Sequence, residues 1–182
     1  MNNIVEKINS RNMNAYLVKD KDEALTKVIN LVGDASTVGF GGSVTLKEIG
    51  VLDKLTNKII DKTDSKFHYK CLLADVFLSS TNALTEDGKI INVDGRSNRV
   101  AALSFGPKKV IIIVGKNKIV SDVESGLERI KKVCIPKNLE RLRFMGKTDW
   151  TTDNMWCTVS IIERQRDKNR IHVILVDEEL GF

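Results

Sequence analysis

The sequence of 182 residues has few cysteines and no long apolar run. The cysteines, Cys71, Cys134 and Cys157, are odd in number and widely spaced, which argues against a disulfide framework and for a reducing compartment. No segment approaches the ~20 consecutive apolar residues of a membrane helix. Residues 1–7 carry charge and lack an apolar core, which argues against a secretory signal. We therefore expect a cytoplasmic protein.

Aromatic residues are also scarce, at 5% of the chain, which leaves few side chains on which nucleic-acid bases could stack. The formal net charge is +5, but basic and acidic residues alternate, as in Glu128-Arg129 and Glu163-Arg164. This distribution is typical of a solvated protein surface rather than of a nucleic-acid-binding patch. We expect neither a nucleic-acid partner nor a membrane partner.

The remaining composition, 42% hydrophobic and 29% charged, is that of a globular domain. Helical and strand patterns alternate without a low-complexity linker, which predicts a single domain over residues 1–182. The β-branched run at residues 110–114 has no polar member and predicts a strand buried on both faces of a mostly parallel α/β sheet. Residues 158–163 and 170–176 predict a closing pair of antiparallel strands around a turn at 167–169.

A glycine-rich turn follows the strand predicted at residues 36–40. Gly41, Gly42 and Ser43 lie where this strand leads into a helix, and amides at such a junction suit a phosphate or a carboxylate. The spacing matches neither a P-loop nor a dinucleotide fingerprint. The alternative is a tight turn in which Ser43 only caps the helix.

A second polar stretch lies between two apolar runs, at residues 82–99. Residues 82–94 predict a hairpin at the end of the sheet, where α/β folds bind ligands. Glu86 is the candidate for proton transfer or nucleophilic attack, and Arg99 the candidate anion clamp. The alternative is that these side chains form only turns and helix caps. The candidate ligand-binding residues of this stretch are Asn82, Thr85, Asp94, Asn98 and Arg99.

Several blocks of the sequence resemble the LUD-domain family, which includes lactate-utilisation protein C. They are TNALTEDG at residues 81–88, NVDG at 92–95, NRVAA at 98–102, FGPKK at 105–109 and ILVDEELGF at 174–182. The resemblance implies a three-layer open sheet with helices on both faces, as in sugar-phosphate isomerases and CoA transferases. In those enzymes the equivalent glycine-rich turn receives the anionic end of the substrate, which strengthens the interpretation of Gly42.

The chain departs from this family in one segment. Many relatives carry several cysteines there, in a spacing that suggests an iron–sulfur or other thiolate metal site, but residues 146–157 keep only Cys157. One thiolate cannot supply the ligands of such a site. His68 and His172 also lack partners at metal-ligand spacing. We therefore expect neither a metal ion nor a cofactor.

The resemblance implies a lactate-utilisation component that binds a small anionic metabolite, a 2-hydroxy acid, a 2-oxo acid or a phosphate ester. Its role would be accessory or regulatory in lactate oxidation, alongside an iron–sulfur partner subunit. Two alternatives stay open: a stand-alone isomerase or CoA-transferase-like enzyme that uses Glu86, and a non-catalytic interaction subunit. Self-association into a homo-oligomer also stays open.

Overall fold

Nine strands form two sheets. In the computed structural model, which describes residues 1–182, the strands are β1 (Asn14–Val18), β2 (Val38–Phe40), β3 (Val76–Ser80), β4 (Ala83–Thr85), β5 (Ile90–Asp94), β6 (Lys109–Gly115), β7 (Ile119–Val120), β8 (Thr158–Ile162) and β9 (Ile171–Val176). The main sheet has the order β1-β9-β6-β3-β2, and every neighbouring pair is parallel. The second sheet has the order β7-β4-β5-β8, with β4 and β8 antiparallel to β5.

Nine α-helices connect and cover these strands: α1 (Asn2–Ser10), α2 (Lys21–Val32), α3 (Val44–Glu48), α4 (Val51–Lys54), α5 (Phe67–Leu72), α6 (Asn98–Ser104), α7 (Val123–Arg129), α8 (Ile135–Phe144) and α9 (Thr152–Met155). Asp20 begins α2 by accepting the backbone N–H groups of Asp22 and Glu23. A π-helical turn, Ile130–Cys134, joins α7 to α8. None of the helices combines the length and the apolar character that crossing a bilayer requires.

The core follows from the apolar runs of the sequence. β3, β9 and all but the first residue of β6 are buried, because helices cover both faces of the main sheet. A cluster of 33 buried apolar residues surrounds this sheet. A smaller cluster of eight lies between the second sheet and the helices α7 to α9. The predicted fold class, an open and mostly parallel sheet between helices, is confirmed.

The last two strands, however, do not pair with each other. β8 pairs antiparallel with β5 in the second sheet, whereas β9 lies between β1 and β6 in the main sheet and is parallel to both. The exposure pattern explains the difference: β8 alternates between half-buried and exposed residues up to its buried last residue, Ile162, whereas β9 is buried throughout. His172 is the one polar residue of β9, so the sequence of this strand begins like an alternation of apolar and polar residues. The side chain of His172 is nevertheless buried as well.

The helices that follow the second sheet's first strands form one continuous region. Asp122 begins α7, because its carboxylate accepts the backbone N–H of Ser125 at 2.8 Å. Residues 134–135 lie inside the helical region formed by α7, the π-helical turn and α8. The hairpin predicted at residues 82–94 is confirmed as β4 and β5.

Candidate functional site

A cavity of about 270 Å³ lies beyond the carboxyl ends of β2, β3 and β6. Its walls combine the residues that follow these strands with the end of β5 and the start of α8. The volume is close to the lower end of the range for small-molecule sites. The position is the one where parallel α/β sheets place their ligands.

The walls of the cavity carry a large excess of positive charge. Asp94 has the only acidic side chain among them, whereas six side chains are basic: Lys62, Arg96, Arg99, Lys118, Arg141 and Lys147. None of these six takes part in any of the nine ion pairs of the structure. Lys118 is buried and Arg99 and Arg141 are half-buried, whereas the other three are exposed. Since buried cations without a counter-ion are costly, the arrangement is suited to an anionic ligand that neutralises them.

Arg99 lies at the start of α6 and is held by the adjacent hairpin. Its Nη2 donates to Asn82 Oδ1 at 3.0 Å and to the Val93 carbonyl at 2.7 Å. Asp94 accepts the backbone N–H of Arg99 at 2.9 Å. A Cβ on Gly41 would lie 3.2 Å from Cδ of Arg99, so the glycine makes room for this side chain. Nε and Nη1 of Arg99 have no protein acceptor and can donate to a ligand.

Lys118 follows β6 in a short 3-10 turn, Lys116–Lys118, and is only 2% exposed. Its Nζ donates to Thr45 Oγ1 at 2.8 Å and to Ser80 Oγ at 2.9 Å. Both acceptors are buried, Thr45 at the start of α3 and Ser80 at the end of β3. The Lys118 side chain therefore extends beneath the cavity from the end of β6 to the end of β3. It has no carboxylate partner.

The surroundings of Lys118 disfavour its protonated form. Burial, together with the positive charges of Arg129 and Arg99, lowers its pKa from 10.5 to about 7, although Cys134 and Glu48 act in the opposite direction. Arg129 lies behind the cavity wall, where its Nη1 donates to the Asn82 carbonyl at 2.6 Å. Arg129 also forms no ion pair.

Arg141 extends from α8 on the opposite wall of the cavity. Its Nη2 donates to Asn138, but its buried Nε has no hydrogen-bond partner. Burial lowers the pKa of Arg141, and the positive charge of Arg99 lowers it further. A guanidinium nevertheless stays protonated. The unsatisfied donor and the repulsion between the two cations would both be relieved by an anion bound between them.

The C-terminal residues close one side of the cavity. Asn117 fixes them, because its Oδ1 accepts Leu180 N and its Nδ2 donates to the Gly181 carbonyl, both at 3.1 Å. Gly181 has φ of +59°, and a Cβ there would lie 2.5 Å from Thr45 Oγ1. Glycine is thus required where the chain passes beside the Lys118 amine. Phe182 then contributes to the wall.

The structure brings most of the predicted ligand-binding residues together. The wall of the cavity includes Gly42, Ser43, Asn82, Asp94, Asn98 and Arg99. Ser43 also caps α3 by accepting Leu46 N, and Asn82 and Asp94 hold Arg99 in place. Neither Gly41 nor Gly42 has a positive φ. A Cβ on Gly42 would meet nothing within 4 Å, so this glycine keeps the space beside the wall open.

Thr85 and Glu86 lie apart from this group, at the turn between β4 and β5. Thr85 is buried, and its hydroxyl donates to Asp87 and accepts the backbone N–H of Lys89 at 2.8 Å within the turn. Glu86 is exposed, and its side chain has no hydrogen-bond partner. Since β4 spans three residues at about 3.3 Å each, Glu86 is roughly 13 Å along the chain from Asn82. Neither side chain is in the cavity wall.

The segment without the family's cysteines folds over the cavity. Trp150 and Met155 line it, and Arg96 lies over the Trp150 ring at 5.5 Å. All three cysteines are free, with Cys71 and Cys134 buried and Cys157 exposed. No group of three His, Cys, Asp or Glu side chains converges anywhere in the structure. The residues present therefore do not fit an iron–sulfur cluster.

Sequence reasoning missed Lys118, Thr45, Ser80 and Arg141. The sequence could have pointed to Ser80 and Lys118 as site residues. Ser80 ends the buried run of β3, and Lys118 lies three residues after the end of β6, where strand ends converge on a ligand site. Thr45 and Arg141 had no such signal. They join the site only because α3 and α8 pack beside it.

Comparisons with known proteins agree with this architecture. The family model described as LUD domain matches residues 1–176. A crystal structure of a DUF162 family protein from Deinococcus radiodurans superposes with a TM-score of 0.62 at 18% identity, covering 96% of this chain and 94% of that chain. No curated protein sequence matches the chain significantly. The resemblance predicted from the sequence is thus confirmed.

Proposed function

We propose that this chain, which belongs to the LUD-domain family, binds a small organic anion in the basic cavity. The observation that carries the proposal is the charge of the cavity wall, which has six basic side chains, none of them in an ion pair, and one acidic side chain. Bidentate contacts from guanidinium groups suit carboxylates and phosphates. The free donors of Arg99 and Arg141 support such contacts.

The chemical class of the anion follows from size and family. A cavity of about 270 Å³ suits a metabolite of a few carbon atoms rather than a nucleotide or coenzyme A. The resemblance to lactate-utilisation proteins favours a 2-hydroxy or 2-oxo acid over a phosphate ester. We therefore propose a cytoplasmic accessory or regulatory role in lactate oxidation, alongside an iron–sulfur partner subunit. The alternative of an enzyme acting through Glu86 is less well supported, because that side chain does not line the cavity.

Isothermal titration calorimetry with pyruvate, L-lactate and glycerol 3-phosphate tests this proposal. One molecule of at least one of these anions should bind per chain. Arg141→Ala should weaken binding tenfold or more, because it removes a charged donor from the cavity.

The matched control for this experiment is Arg143→Ala. It removes the same charge from an exposed position of the same helix, outside the cavity wall, and should leave the affinity unchanged. Equal losses in both variants would point to a general charge effect. If none of the three anions binds at millimolar concentration, the proposed function is wrong.

A further inference from the structure

We propose that Lys118 forms an imine with the carbonyl group of a 2-oxo acid held in the basic cavity. This inference rests on the proposed function, since it requires an anion in that cavity, and it selects one class of anion. Three observations carry it: the hydrogen bonds of the lysine amine, the charges that surround it, and the neighbouring groups that can hold a carboxylate.

The hydrogen bonds of Nζ leave its lone pair free. The Thr45 hydroxyl donates to the Leu180 carbonyl at 3.3 Å, and the Ser80 hydroxyl donates to the Ile113 carbonyl at 2.6 Å. Each hydroxyl has thus used its only proton and can act toward Lys118 only as an acceptor. A neutral amine has two N–H groups, which these two oxygens satisfy. Its lone pair then has no donor in the protein to occupy it.

The charges around Lys118 favour this neutral amine. Arg129 and Arg99 are cationic, no carboxylate lies within ion-pair distance, and Cys134 and Glu48 are the groups that oppose them. The pKa of about 7 leaves about half of the amine unprotonated at pH 7, whereas an ordinary lysine is almost fully protonated. Lysines desolvated or placed beside another cation are the ones that serve as nucleophiles toward carbonyl compounds.

The cavity wall offers both parts of a 2-oxo acid a partner. Arg99 and Arg141 provide guanidinium donors for the carboxylate, and Lys118 lies in the same wall as the nucleophile for the adjacent carbonyl carbon. A 2-hydroxy acid could occupy the same site by its carboxylate, but it has no carbonyl carbon to attack. The site would thus distinguish a 2-oxo acid from the corresponding 2-hydroxy acid, because only the 2-oxo acid can form a covalent bond with Lys118.

The proposed step balances without any further reactant. The Nζ lone pair attacks the carbonyl carbon, and a proton moves from nitrogen to the carbonyl oxygen to give a carbinolamine. The hydroxyl group then leaves with the second nitrogen proton as water, while the nitrogen lone pair forms the C=N bond. No oxidation or reduction takes place, and hydrolysis of the imine restores the amine and the 2-oxo acid.

Reductive trapping of the full chain tests the inference. The protein is incubated with pyruvate at pH 7, treated with sodium borohydride and analysed by intact mass spectrometry and peptide mapping. We expect one reduced pyruvate adduct per chain, located at Lys118 by the peptide map. L-lactate under the same conditions should give none. Because the map is made on the unsubstituted protein, the result does not depend on how a variant folds.

Variants of three lysines sharpen the test. Lys118→Arg keeps a hydrogen-bond donor at this position but loses the nucleophile, and it should reduce trapping at least tenfold. Lys108→Arg and Lys137→Arg change exposed lysines outside the cavity wall and should trap like the parent protein. Adducts spread over surface lysines, or an unchanged yield in Lys118→Arg, would overturn the inference.

The outcomes separate this inference from the proposed function. If pyruvate and L-lactate both bind by calorimetry but borohydride traps nothing at Lys118, the anion site stands and the imine is wrong. If no anion binds and no adduct forms, both proposals are wrong. Trapping of pyruvate at Lys118 in a protein that binds neither L-lactate nor glycerol 3-phosphate would support the imine, because only the 2-oxo acid has a carbonyl carbon that the amine can attack.

Discussion

Asn82 Oδ1 accepts Nη2 of Arg99 at 3.0 Å and the backbone N–H of Val93 at 2.9 Å. One amide oxygen therefore ties the arginine to the same hairpin that supplies the end of the cavity wall. This bond and the Asp94 contact to the Arg99 backbone bring three polar residues of the 82–99 stretch together. Asn82 and Asp94 position the guanidinium, and Arg99 is left to contact a ligand.

Arg99→Ala should weaken anion binding about ten- to a hundred-fold. The loss corresponds to ~1.5–3 kcal/mol for hydrogen bonds to a charged group. Calorimetry with the anion that binds the parent protein measures it. Glu86→Gln is the control, since Glu86 is exposed at the far end of the hairpin and should not change the affinity. If Glu86→Gln weakened anion binding as much as Arg99→Ala, Glu86 would have to belong to the binding site.

Gly42→Val should reduce ligand binding while the protein stays folded. A Cβ at this position meets no other atom within 4 Å, so the valine fits without a clash but occupies space beside the cavity wall. Ligand-dependent shifts in melting temperature compare the two proteins. A variant that folds and gains the same shift as the parent protein would show that the ligand does not approach Gly42.

The stability of the parent protein should rise with pH relative to Lys118→Met. The folded protein releases the Lys118 proton near pH 7, whereas the unfolded chain keeps it until about pH 10.5. Between these values the unfolded state binds more protons, so the free energy of unfolding increases with pH. At about 1.4 kcal/mol per pKa unit, the difference from pH 7 to pH 9 is of order 2–3 kcal/mol.

Urea unfolding of both proteins at pH 6, 7, 8 and 9 provides the measurement. Below pH 7 the lysine is protonated in both states, and the difference between the proteins should be constant. A difference that stays constant up to pH 9 would mean that Lys118 has an ordinary pKa in the folded protein. That result would also remove one support of the proposed imine.

Asn92→Leu should raise the free energy of unfolding by about 1–2 kcal/mol. The Asn92 side chain is fully buried in β5, and neither its nitrogen nor its oxygen has a hydrogen-bond partner. Leucine has a similar shape and removes the cost of burying the unsatisfied amide. Asn82→Leu is the matched control and should destabilise the protein, because Asn82 makes two hydrogen bonds. Destabilisation by Asn92→Leu, measured by urea unfolding, would contradict the expectation.

The protein purified anaerobically should be colourless, with iron and zinc well below one atom per chain. The reason is that no three His, Cys, Asp or Glu side chains converge in the structure. Elemental analysis and the visible absorption spectrum measure this. Stoichiometric iron with a charge-transfer band that disappears in Cys157→Ser would overturn the interpretation of residues 146–157.

Much of the fold could be predicted because local patterns determine it. The apolar run of β6 requires burial on both faces, Asp20 has the side chain that begins a helix, and the hairpin of β4 and β5 has its own turn residues. The pairing of β8 and β9 could not be predicted in this way. Two strands that are consecutive in sequence can pair with each other or with distant strands. The pattern of apolar and polar residues within one strand does not specify which strand it pairs with.

The same distinction holds for the candidate site. The polar strand ends, the glycines at residues 41–42 and Arg99 could be identified from the sequence, because turn chemistry and strand burial are local properties. Three features depend on how the chain folds: Lys118 donates to Thr45 and Ser80, Arg141 completes the charged wall, and Glu86 lies outside it. The physical reason is that burial and charge repulsion depend on which side chains are close in space, and these come from segments up to 96 residues apart in the printed sequence.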